Sequence, residues 1–220
     1  MSRAPSSVPK APLALLRGPL RDLANRALKG SDAPIAQERI WIDPRNLTRI
    51  YTRNAAQTPD FKRRHSGMVI EGDWDRNTEP TDLSWKVAAC LAHFRDGKSW
   101  EETGIYDRMQ AMIAERGPFD SCRSLADIIA RYQKIDALYS DIRDNDYRDD
   151  TVPSRTGPRL PEGVFVHIDR NGDPIFGAIG NHRVGIARAL GLTRIPAQLG
   201  VVHPDALASN ALAQYRDAPA

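Results

Sequence analysis

The spacing of apolar residues changes period along the chain, and the clearest run of such changes lies between Val164 and His203. Val164, Val166 and Ile168 alternate with Phe165 and His167, which predicts a strand. Asn171-Gly172 predicts a two-residue hairpin turn with positive φ, and Pro174, Ile175 and Phe176 the returning strand. The period then lengthens: Val184, Ile186, Ala187 and Leu190 share one side of a helix, Gly191 ends it in a left-handed cap, and Ile195-Pro196 opens a last strand. Nearer the start, Ile40 and Ile42 around Trp41 predict a strand over Arg39 to Asp43, stopped by Asp43-Pro44, and Met68 to Ile70 a second short one. Leu47 to Arg64 carries no such pattern and reads as a connector. From 83 to 145 the spacing is helical throughout. Leu83, Val87, Cys90, Leu91 and Phe94 form one stripe, and Ser99 to Glu102 is a capping box starting a helix with Tyr106, Met109 and Ile113. Ser124 caps a longer helix from Leu125 to Ile142. Strands at both ends of a helical block predict an α+β fold.

Residues 1–37 hold no strand pattern. Leu13, Leu16, Leu20, Leu23, Ala27 and Leu28 follow one face of a helix over Pro12 to Lys29, with Arg17, Arg21, Arg26 and Lys29 on others. Such a segment suits an anionic lipid surface or a partner, or packs as an appendage on its own domain, and Gly18-Pro19 is expected to kink it. The predicted organisation is this appendage, one domain over 38–205 with a helical insertion around 83–145, and a tail over 206–220.

Composition narrows the class. A chain of 220 residues, 41% hydrophobic and 27% charged, can bury one sizeable core. A net charge of +3 permits nucleic-acid contact without arguing for it; the densest positive run is Arg45, Arg49, Arg53, Lys62, Arg63, Arg64 and His65, read either as a phosphate contact or as a solvated connector. Cys90 and Cys122 have no metal or redox spacing and fit a reducing cytoplasm. No apolar run reaches the length of a membrane span, so integral membrane association is not expected.

Two segments carry candidate chemistry. Gly177 and Gly180 flank a loop that delivers Asn181, His182 and Arg183 to a helix start, where unpaired N–H groups and a partial positive charge suit an oxyanion, most readily a phosphate. The alternative is that His182 and Arg183 only cap or salt-bridge the fold. In Gly72-Asp73-Trp74-Asp75 two carboxylates flank a tryptophan. They could share a divalent cation such as Mg2+, or one could act as a general base; the structural alternative is an Asx turn with a ring plugging the core.

The segment GNHRVGIARALGLTRIP (180–196) resembles the diagnostic stretch of the ParB/sulfiredoxin superfamily, in which a glycine and a His-Arg or Arg-Arg pair open a helix before an Ile-Pro strand. ERIWIDPRNL (38–47) and IDALYSDIRDNDY (135–147) resemble two further pieces in the family's order. The resemblance implies a small mixed sheet with a β-hairpin and flanking helices. It also implies nucleoside triphosphate binding, ATP or CTP, by Gly180, Asn181, His182 and Arg183. An acid among Asp43, Asp73 and Asp75 would then hold magnesium or deprotonate an unknown phosphate acceptor. The sulfinic-acid reductase members need a cysteine where this chain has Asn181, and too little chain follows His203 for the helix-turn-helix of the DNA-partitioning members. The expected function is therefore that of a cytoplasmic kinase or nucleotide hydrolase. The alternative is a non-catalytic, nucleotide-gated module that contacts DNA, or a partner through the N-terminal helix.

Overall fold

In a computed structural model, residues 18–52, 59–154 and 157–216 are described. Leu13, Leu16, Arg17 and Arg53 lie outside them. Among the described residues are six α-helices and one six-stranded mixed sheet, so the fold is α+β. The chain divides into two compact units. One comprises Met1–Thr81, Asp149–Gly180 and Thr193–Ala220, and the other Asp82–Arg148 and Asn181–Leu192.

The first unit holds the whole sheet: β1 (Arg39–Ile42), β2 (Arg49–Tyr51), β3 (Thr78–Pro80), β4 (Val164–Ile168), β5 (Pro174–Phe176) and β6 (Ile195–Val202), in spatial order β1-β6-β4-β5-β2-β3. β6 runs antiparallel to β1 and parallel to β4; β5 runs antiparallel to β4 and parallel to β2, and β3 closes the edge antiparallel to β2. Every residue of β4 and β6 is buried, as expected of interior strands. Two features differ from the sequence reading. The run from Leu47, read as a connector, contributes β2, whose Ile50 pairs with Phe176. The hairpin turn also holds three residues, not two. Asp169 N–H donates to Asp173 O and Gly172 N–H to Asp169 O, and only Gly172 has positive φ, at 86°. One glycine in the left-handed region is what a three-residue hairpin loop with a bulge requires. Met68 to Ile70 forms no full strand; Val69 makes a single parallel bridge to Val202.

The first unit also carries α1 (Gly18–Lys29) and α6 (Pro204–Ala208). The Gly18-Pro19 pair stands at the start of the described helix, where proline's missing N–H costs nothing. α1 is anchored by its polar side. Arg21 donates to Arg64 O at 2.9 Å, Asn25 to Pro34 O at 2.8 Å and Gly67 O at 2.9 Å. Asp22 accepts from Ala36 N–H at 2.7 Å and pairs with Arg159.

The second unit is helical: α2 (Trp85–Phe94), α3 (Ile105–Arg116), α4 (Leu125–Asn145) and α5 (Asn181–Ala189). The insertion and the helix after the glycine loop therefore belong to one unit. Ser124 caps α4 through a box with Asp127. The Ser99–Glu102 box forms as well, but on a turn, because left-handed Gly104 separates it from α3. Cys90, Trp100, Ile105, Met109, Ile128 and Tyr132 fill this unit's core. Burial pushes the Cys90 thiol up to about 12, so it is an inert core residue. A Cβ at Gly185 would lie 2.4 Å from Cys90 Cβ, so only glycine there lets α5 lie this close to α2.

Candidate functional site

The first turn of α5 is built inside the helical unit. Ser84, which precedes α2, donates its hydroxyl hydrogen to Asn181 Oδ1 at 2.8 Å, while Gly185 meets the middle of α2. The two helices therefore start side by side. Neither has an acidic residue in its first turn, so the partial positive charge of both N-termini is left without a carboxylate. In the first unit, the glycine just before α5, Gly180, has φ +94°, and a Cβ there would lie 3.0 Å from Val164 Cα; only glycine makes this turn without strain.

The three side chains of the first turn have separate fates. Asn181 is tied to Ser84 as above. His182 is buried, 9% exposed, with Nε2 at 3.4 Å from the Tyr132 hydroxyl. Burial first, and then the positive charges of Arg131 and Lys86, push its pKa down to about 4, so the ring is neutral at pH 7. His182 is a buried ring that packs into the core of its unit. Arg183 is half-buried, and its side chain makes no hydrogen bond, ion pair or ring contact with any described residue. Lys86 and Arg131, the two cations that act on His182, both bind Asp120, Arg131 at 3.4 Å, leaving two cations on one carboxylate.

The carboxylates read as catalytic or metal-binding are placed differently. Asp43 caps a short 3₁₀ turn, accepting from Arg45 N–H at 2.8 Å and from its guanidinium at 2.5 Å. That side-chain hydrogen bond holds its pKa below the ordinary carboxylate value. Asp75, its side chain 3% exposed, accepts from Arg170 Nε at 2.8 Å, Nη2 at 2.6 Å and backbone N–H at 3.1 Å. Burial raises its pKa, and the Arg170 hydrogen bonds more than offset this, leaving it net lowered. Asp73 receives the same guanidinium at 2.8 Å. Asp73 and Asp75 thus share Arg170. Among the described residues no three His, Cys, Asp or Glu side chains gather as a metal ion would need.

Trp74 takes the structural role. It is buried against Tyr51, Phe61 and His167, with its N–H donated to Ile70 O at 2.8 Å. His167, completely buried, accepts from Val201 N–H, and burial pushes its pKa down to about 3. The basic run is largely committed too. Arg45 binds Asp43, Arg49 binds Asp169 at 2.7 Å, Lys62 binds Asp60, and Arg63 donates to Gln198 and to Gly163 O. Sequence reasoning missed Arg170 and the Ser84–Asn181 link. The hairpin motif placed Arg170 at a loop, but nothing local pointed it at residues nearly a hundred positions earlier.

No family model, curated protein or solved structure matches the chain.

Proposed function

We propose that the chain is a ParB/sulfiredoxin-like nucleotide-binding protein that holds the phosphates of ATP or CTP at the first turn of α5. The observation that carries this is Arg183, an uncommitted guanidinium on a helix start that lies beside the start of α2. Backbone N–H groups of a first turn have no intrahelical acceptor, and an arginine fork meets two phosphate oxygens at once. Gly180 permits the turn that leads in, Asn181 fixes the helix start through Ser84, and buried His182 anchors the turn to the core of its unit. Arg131 and Lys86 add positive potential.

Non-catalytic binding is the version the geometry favours. A phosphotransferase or phosphohydrolase needs an acid free to take a proton or a metal ion, and Asp43, Asp73 and Asp75 each carry an arginine. The same pairing uses up most of the basic run, so a protein partner is favoured over DNA as the element that nucleotide controls. Among the described residues no helix is long and apolar enough to cross a membrane. Equilibrium dialysis of the full chain against ATP and CTP, with and without magnesium, followed by a phosphate-release assay, tests both levels. Binding without release is expected. Release would move the assignment to an enzyme with an unknown acceptor, and no binding would remove it.

A further inference from the structure

α1 is amphipathic in the reverse of the usual sense. Its polar residues Arg21, Asp22 and Asn25 are buried and hydrogen-bonded, whereas Leu20, Leu23 and Leu28 are 58%, 67% and 71% exposed. They are three of the five large hydrophobic side chains exposed among the described residues, and they share one helix. A stripe of this kind on a folded surface marks an interaction site.

Charge selects what covers it. Arg26 and Lys29 are exposed on the same helix, and Asp22, the one acid of residues 1–30, pairs with Arg159. Residues 1–30 carry Arg3, Lys10, Arg17, Arg21, Arg26 and Lys29 against Asp22, a net of +5 where the whole chain has +3, which leaves −2 on the remainder. The seventeen residues that lead into the helix add three of these cations and no acid. They also continue the leucine spacing of 3, 4, 3 with Leu13 and Leu16. A second copy would bring like charge against like along this stripe, which disfavours self-pairing. An anionic surface that accepts leucines below and cations at its rim matches both features.

We infer that the exposed leucine stripe of α1 is a peripheral membrane-docking ridge for anionic phospholipid, with the leucines entering the acyl boundary and Arg26 and Lys29 toward the headgroups. The polar side of α1 stays on its own domain, so docking requires no unfolding.

The test is flotation of the full chain with vesicles of phosphatidylcholine alone and of an equal mixture with phosphatidylglycerol. Binding to the anionic vesicles only is expected. Leu20→Ser with Leu23→Ser should weaken it at least tenfold, and so should Arg26→Glu with Lys29→Glu. All four positions are exposed, so an unchanged melting temperature would show the fold intact. Absence of binding to anionic vesicles overturns the inference. So does binding that survives the leucine substitutions, which would be charge adsorption alone. A concentration-dependent dimer in light scattering, lost in the leucine variant, would assign the stripe to a second copy instead.

Discussion

Asp73–Asp75 and Asn181–Arg183 are alike in sequence: each is a short charged segment at the start of a helical turn after a glycine. In the fold they differ in whether the charge is already used. The guanidinium of Arg170, from the β4–β5 turn, closes the first, while Arg183 in the second meets no described partner. Local charge density therefore says little about availability. What decides it is a counter-charge brought from far along the chain, and a site is more informative where that counter-charge is absent.

The largest effect should come from breaking the closed segment. Arg170→Ala leaves the Asp75 carboxylate buried without its partner, and the melting temperature should fall by on the order of 10 °C in calorimetry. Arg183→Ala should leave it within about 2 °C, since no described contact is lost. Equal losses would erase the distinction between the two segments.

Buried histidines with lowered pKa values sharpen the same contrast, His167 in the first unit and His182 in the second. His182 and His167 have pKa values pushed down to about 4 and about 3, so below the ordinary 6.5 the unfolded chain binds more protons than the folded one. Stability is then full above pH 6.5 and declines as pH falls toward 4, by about 3 kcal/mol for His182 alone. In urea titrations at several pH values, His182→Phe should show a flatter decline between pH 6.5 and 4 than the parent chain. An identical slope would place the His182 ring in water.

A smaller effect is expected at the contact that sets the two helix starts together. Gly185→Ala drives a methyl into Cys90 and should cost about 2 kcal/mol in urea unfolding. Because it pushes α5 away from α2, it should also weaken nucleotide binding. A neutral result would mean that α5 is free to shift.

Much of this architecture was legible in the sequence. The spacing of Val164, Val166 and Ile168 marked β4, the 3.6-residue period and Ser124 marked α4, and Gly191 marked the end of α5. β2 and β3 were not legible, since Arg49–Tyr51 and Thr78–Pro80 are three-residue strands with no room to show a period, and their pairing comes from the sheet around them. α1 was legible only in part. Its leucine spacing left open a lipid surface, a partner or its own domain, and the acceptors for Arg21 and Asn25 at Pro34, Arg64 and Gly67 turn the polar side inward. Arg183 was visible as a residue, but its lack of a partner is a property of the fold.

Calorimetric titration of ATP and CTP into the full chain, repeated with Arg183→Ala and with Asp73→Asn, tests the central claim most directly. The account predicts saturable binding that Arg183→Ala weakens roughly thirtyfold, about 2 kcal/mol for a charge-assisted bidentate contact, and that Asp73→Asn leaves unchanged. Binding that ignores Arg183 and is lost with Asp73 would contradict it and move the site to the other segment.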